Sequence, residues 1–357
     1  ELDALRIPEH AYVNPETDAA HCCGHHAQMA GIFGAALALT VPEIAEKLGG
    51  QVVFFATPAE EYGEIEFKNQ LREQGKIRYG GGKCELIRTG AFDDIDLCLA
   101  HHIQPGDEIQ VGSGTGNGFV SKVIRYLGKA AHAAGAPDKG VNALSAASLG
   151  LQALGLNRET FRDEDCVRVH PIITKGGNLV NVIPDEIVIE TLVRAKTIEA
   201  FTDAAKKTDR SFQAGAVAMG AKVEITTLPG YLPTLAEQAL PELKRAAELA
   251  APEVPVREAA GHSGGSTDVG DVQHLMPVYT FNTGGVKGGL HQINFEVTNE
   301  EEAYIDTAKM FALAAYGLLK EKAARSKELV KNYKPVFKDS AEYTKFMEQF
   351  DSKEVLD

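Results

Sequence analysis

The sequence predicts an α/β fold: a mostly parallel-sheet main domain with helices on both faces, plus an inserted α+β (ferredoxin-like) domain. Three observations carry this. Continuous apolar, β-branched runs alternate with helix-length stretches towards both ends of the chain, as buried parallel strands and their crossover helices do. The middle reads as strand, helix, two strands, helix, strand, the split β-α-β order. Several apolar runs end in Glu or His, and open α/β sheets hold their sites beyond strand carboxyl ends.

Taken in order, "ELDALRIPE" reads as the end of a strand. Because Glu1 is not Met, upstream residues are expected, a signal peptide stays open, and cytoplasmic is the default location. Helical patterns cover residues 27–48 and 66–74. Between them "QVVFFATPAEE" (51–61) reads as a fully buried strand ending in Pro and two acids. "DIDLCLAHH" (94–102) and "MPVYTFNTGG" (276–285) are two more strands. A helix spans roughly 235–251, which Pro241 breaks or restarts.

In the middle, "FVSKVIRYLG" (119–128) alternates like a half-exposed strand. A helix over 140–154, strands in "VRVHPIITKGG" and "EIVIETLVRA", a helix over 198–219 and a strand in "KVEITTLPG" complete the insert. The domain boundaries are therefore 1–117 and 230–327 for the two parts of the main domain and 118–229 for the insert. A long helix follows Asn299 to about Lys327, and 328–357 is a charged tail whose scattered aromatics pack or fray. "GSGTGNG" (112–118) lacks the Lys of a phosphate loop and opens no helix, so it reads as a hinge.

The composition, 44% hydrophobic and 24% charged, is that of a globular protein. A net charge of −14 argues against nucleic acid as a partner, which calls for a basic face. No apolar run approaches the roughly 20 residues that span a bilayer, so no membrane partner is expected. Five cysteines, an odd number, read as reduced thiols.

Chemistry concentrates in "HCCGHHAQMAG" (21–31), at the mouth of an apolar helix. Cys23 and His25 flank Gly24, which lets the backbone turn sharply. Thiolate and imidazole suit Zn or similar metals; buried thiols and a capping histidine are the alternative. Glu60 and Glu61 close the 51–61 run. Adjacent acids are commonly a solvated turn, but beyond a buried strand one can bind metal while the other moves a proton. His101 and His102 end the next strand, and His291 follows the third. A single histidine is more often structural. Convergence of such residues on one sheet edge points to a metallohydrolase.

With these residues in hand, the chain resembles the two-metal peptidases and amidohydrolases that include aminoacylases, hippurate hydrolases, auxin-conjugate hydrolases and aminobenzoyl-glutamate hydrolases. The resemblance runs through "LDAL", "CGHH", "PAEE", "AHHIQP", "GKAAHAAGAP", "GGNLVNVIPD", "LVRA", "STDVGDV" and "GLHQINF". It implies Cys23, His25, Glu61, His102 and His291 as metal ligands, with Cys23 able to bridge two ions. It implies Glu60 as the general base acting on metal-bound water, and Asp3 as an acid orienting the ligands from behind. His132 matches an insert histidine that reaches the partner's active site in dimeric relatives; Asn181 and Arg194 match lid residues holding the substrate.

The implied cofactor is a divalent metal, one or two ions per subunit, Zn or Mn, with Co also possible. The implied partners are a small-molecule substrate and a second copy of the chain, joined through the insert. The implied reaction is hydrolysis of small N-acyl or N-aroyl amino acids. Alternatives are a metallo-dipeptidase or aminopeptidase, a metal-free thiol hydrolase using Cys23, and a silent metal-binding protein. His26 departs from the family motif, where Asp or Asn stands; it either adds a ligand or replaces a hydrogen-bonding group. Spacing to Pro105 favours His102 over His101 as the ligand, and Asp268 is a further candidate ligand.

Overall fold

A computed structural model describes residues 1–356. A small hairpin of β1 (Leu5–Arg6) and β2 (Ala19–Ala20) precedes α1 (His25–Leu39) and the short α2 (Pro42–Ala45). Then come α3 (Ile65–Glu73), α4 (Gly82–Arg88), β3 (Cys98–Ile103), β4 (Ile109–Val111) and β5 (Thr115–Gly116). A second unit holds β6 (Gly118–Leu127), α5 (Ala143–Asn157), β7 (Arg168–Val169), β8 (Ile172–Lys175), β9 (Glu186–Ala195), α6 (Ile198–Met219) and β10 (Lys222–Pro229). The chain returns through α7 (Pro241–Ala250), β11 (Val256–Glu258), β12 (His262–Ser263), α8 (Val269–Gln273), β13 (Val278–Thr283), β14 (Val286–Lys287) and β15 (Glu296–Val297). It ends with α9 (Thr307–Asn332), α10 (Ser340–Met347) and β16 (Ser352–Leu356).

The first sheet has the order β11-β4-β13-β3. β13 runs parallel to β3 and β11 to β4, while β13 and β4 are antiparallel. Side chains alternate across the sheet. Tyr279 and Phe281 of β13 face a cluster with Ala35 of α1, Leu243 of α7 and Met310 of α9. Val278 faces the opposite cluster, with Ile87 of α4 and Val272 of α8. Helices therefore cover both faces. Pro241 opens α7 as its first residue, where its missing N–H costs nothing.

The run over 51–59 departs from expectation. It joins no sheet, Ala59 turns to φ 53°, and Val53 and Phe54 are 46% and 39% exposed. A strand needs a ladder partner. Thr57 gains one backbone bond, from Leu2 N at 2.8 Å. A slot of about 710 Å³ separates Val52–Phe55 from Leu97–Leu99. Composition favours the extended conformation but says nothing of the pairing.

The second unit is an antiparallel sheet of order β16-β10-β6-β9-β7, with β8 also on β9. α5 and α6 pack on it through Ala146, Leu154, Phe201 and Phe212. α9 is kinked at Lys320–Ala323, where four residues leave helical geometry. The tail packs: Phe337, Tyr343, Met347 and Phe350 are all buried. Among the described residues, no helix is long and apolar enough to cross a membrane.

Candidate metal centre

The parallel pairing of β3 and β13 sets His102 opposite Asn282 at their carboxyl ends. Around this edge the loops deliver the other ligands. Cys23 precedes α1 and His25 is its first residue. Gly24 between them has φ 81°, and a Cβ there would lie 2.0 Å from Ile103 Cγ2, so only glycine lets the helix start this close to β3. Glu60 and Glu61 sit in the loop after the 51–59 run. Gly82 at the start of α4 packs against that loop, with room for no Cβ beside Pro58 O. His291 adopts φ 63° and donates its N–H to Cys22 O at 2.9 Å.

The five expected ligands converge in two overlapping triads: Cys23, His25 and His102, and Cys23, Glu61 and His291. Cys23 Sγ lies 3.4 Å from His102 Nε2 and 3.2 Å from His291 Nε2. His291 Nε2 lies 2.9 Å from Glu61 Oε1. His25 Nε2 and Glu61 Oε1 are buried with no hydrogen bond. Soft donors with uncommitted lone pairs aimed at one point fit divalent metal ions.

The far sides of His25 and His102 are tied down. His25 Nδ1 donates to Asp3 O at 3.0 Å and lies 3.3 Å from Asp3 Oδ1. Asp3 Oδ2 accepts Glu61 N–H at 2.7 Å. One aspartate thus orients a ligand from each triad. Burial pushes the Asp3 carboxyl up, but the His25 bond and the Glu61 amide outweigh it and hold it at about 2. His102 Nδ1 donates to Ile103 O at 2.6 Å, leaving Nε2 for the centre.

Glu60 belongs to neither triad. It groups with His25 and Glu1, with Oε2 3.9 Å from His25 Nε2. Burial, then the charges of Glu1 and Asp268, push its carboxyl well above the ordinary range. Tyr231 Oη donates to Glu60 O at 2.6 Å and fixes the loop.

Three residues near this centre carried no readable sign in the sequence. Glu1 reaches Lys83 Nζ at 2.6 Å and lies 3.4 Å from His25 Nε2. Lys83 is buried and also holds Asp268, which is therefore committed to Lys83 and joins none of the metal-competent groups. Tyr231 lies at the return from the second unit. The nearest signal is the Lys of "GGGKC", a charge set directly after three glycines.

The remaining residues lie apart. His132 is exposed on the second unit, its Nδ1 accepting Gly135 N–H at 3.0 Å. Asn181 is its exposed neighbour, with Asn181 O accepting Ala133 N–H. Arg194 is half-buried, 5.5 Å from the Phe119 ring, and has no described acid within 4 Å. His26 joins neither triad: its ring lies 5.4 Å from His21 and 5.8 Å from Tyr304, and burial holds it neutral at about 4. His101 is committed to Thr283 Oγ1 at 2.8 Å.

A ligand cluster at parallel strand ends, with a further carboxylate beside it, is the donor set of a metal-dependent hydrolase. The chain belongs to peptidase family M20/M25/M40, whose model matches residues 1–316. It is 28% identical over 325 residues to the Xaa-Arg dipeptidase of Mus musculus, covering 88% of this chain and 67% of that protein. It is 26% identical over 231 residues to the indole-3-acetyl-aspartic acid hydrolase of Enterobacter agglomerans, covering 61% and 48%. Among solved structures, the YxeP protein of Bacillus subtilis, described as a dinuclear metal-binding peptidase of the M20 family, matches with TM-score 0.57. Its identity is 23%, over 89% of this chain and 79% of that one.

Proposed function

We propose that the chain hydrolyses the amide bond of small N-acyl or N-aroyl amino acids. The observation that carries this reading is Glu60: a buried carboxylate beside two ligand triads but outside both. Cys23, His25 and His102, and Cys23, Glu61 and His291, would hold one or two divalent ions, which when bound would supply Lewis acidity and make water easier to deprotonate near neutral pH. Zn or Mn is the expected ion, with Co as a third candidate. Glu60 takes the proton from the attacking water and passes it to the leaving amine. Arg194, poised over Phe119 without an acid partner among the described residues, offers a bidentate fork to the amino-acid carboxylate.

The second unit acts as a lid, turning about Gly112–Gly118 and Gly230. His132 and Asn181 are exposed on the second unit, which supports their serving the site of a partner subunit. The open β7–β8 edge, with Ile172 62% and Ile173 45% exposed, supports a homodimer through this unit. Mixing His132→Ala with Glu60→Ala chains restores activity if His132 works across the interface; unrestored activity overturns that role.

A dipeptidase reading is favoured by similarity to the Xaa-Arg dipeptidases. Metal analysis followed by a screen of acyl-amino acids, aminobenzoyl-glutamate and dipeptides with Zn, Mn and Co decides between them. A thiol hydrolase is disfavoured, because burial and the two glutamates push the Cys23 thiol up. Activity surviving EDTA but lost to iodoacetamide would revive it. Five free cysteines support a reducing, cytoplasmic location.

A further inference from the structure

The chain crosses between its two units three times. β6 starts at Gly118 and β10 ends at Pro229, and these crossings lie side by side: Phe119 N donates to Tyr231 O at 2.8 Å. The third crossing is the tail. α10 is seated on the catalytic side, where Tyr343 Oη donates to Asp271 Oδ1 at 2.8 Å and Tyr79 Oη donates to Thr344 O at 3.2 Å. Asp351 pairs with Arg72 of α3 at 2.6 Å and with Arg78 at 3.5 Å. The chain then enters the second unit. Phe350 meets Phe201 of α6 at 5.3 Å, and β16 pairs antiparallel with β10 from Ser352↔Thr227 to Leu356↔Val223.

The crossings therefore stand in a row, β6, β10, β16. Adjacent strands are about 4.8 Å apart, so two crossings make a pivot ~4.8 Å wide and three make one about twice as wide. A narrow pivot allows bending and twisting. A wide one leaves bending about the row and resists twist. The row is also braced at its middle: Asp271, which accepts from Tyr343, accepts Leu232 N–H at 3.2 Å, one residue from the Tyr231 that holds Glu60.

We propose that the segment from Tyr333 to Leu356 is a strap that forms a third hinge crossing and confines the second unit to one axis of motion over the metal centre. This rests on the lid reading above. The two ends of the strap differ. Tyr343 and Met347 are essentially inaccessible, whereas four of the five β16 residues are exposed. The catalytic end is the anchor and β16 is the end that releases.

Hydrogen exchange read at the Phe119 and Leu232 amides tests this on the full-length protein. Deleting 352–356 should speed exchange at both about tenfold while α7 and α9 stay protected. Arg72→Ala, which leaves the sheet intact, should shift the same amides in the same direction. Glu224→Cys with Val355→Cys, directly opposed in register, should slow them below wild type once oxidised. Exchange at the hinge that ignores all three changes overturns the strap and leaves the lid standing. Hinge amides that never exchange short of global unfolding overturn the lid and the strap together. If the deletion unfolds the chain, the arginine and cysteine variants carry the decision.

Discussion

Lys83 meets Asp268 through both its backbone and its side chain: Lys83 N–H donates to Oδ2 at 2.9 Å and Nζ to Oδ1 at 2.6 Å. The aspartate is completely buried, and the ammonium also reaches Glu1. Burial would lower the Lys83 pKa, but Asp268 and Glu1 reverse this and keep the ammonium charged. Lys83→Met strands a buried carboxylate and should cost roughly 3–5 kcal/mol in urea unfolding. Adding Asp268→Leu should recover much of that loss. If the double variant is no more stable than Lys83→Met alone, the pair is not what holds α4 to the segment before α8.

Cys23 is shared by both triads, whereas His102 and His291 each belong to one. Cys23→Ala should weaken every bound ion, and His102→Ala or His291→Ala only one position. Elemental analysis after dialysis measures this. Equal losses in all three variants would mean a single ion.

Asp3 touches no ion-facing atom, yet it braces His25 and the Glu61 amide. Asp3→Asn should lower metal affinity about 10–100-fold, read by competition with a chromogenic chelator. Activity should return in part at saturating metal.

Glu60→Gln should leave bound metal in place and cut turnover by about 10²–10⁴-fold. Elemental analysis beside a kinetic assay separates the two. Lost metal would instead make Glu60 a ligand.

Glu237 has both carboxyl oxygens buried without a hydrogen bond, as are Ser113 Oγ and Thr280 Oγ1. Burial raises its pKa from 4.5 to about 9, eased slightly by the Thr280 backbone. The folded state therefore keeps a proton that the unfolded chain releases near pH 4.5. Stability from this group is complete below that pH and declines as pH rises towards 9. Glu237→Gln should flatten the decline and gain about 1–3 kcal/mol at pH ~8. A chemical-denaturation series from about pH 5 to about pH 9 reads the slope.

Much of the metal centre was legible because its residues are chemically rare and sit at element ends. Cys23, His102 and His291 stand out in any apolar sequence, and the structure gathers them with Glu61 and His25. The bounds of α6 were equally plain, since it carries its own stop in Gly220 at φ 63°, whereas α5 spans Ala143–Asn157, three residues later than its apolar pattern suggests. Tertiary facts were not legible. Val53 and Phe54 look buried by composition, but pairing depends on a neighbour that no local pattern names. Lys83 gives no sign of the Asp268 that neutralises it 185 residues away. The tail aromatics Phe337, Tyr343 and Phe350 follow no single period, because they face His274, Tyr79 and Phe201, three separate parts of the chain.

The donors that crowd Cys23 are delivered at residues 25, 61, 102 and 291. During synthesis the thiol and first imidazole leave the ribosome well before the last imidazole. A nascent fragment can thus offer a weak, partial grip to a passing ion. Tight capture waits until the closing loop has docked, which makes ion retention a chemical signature of a finished fold.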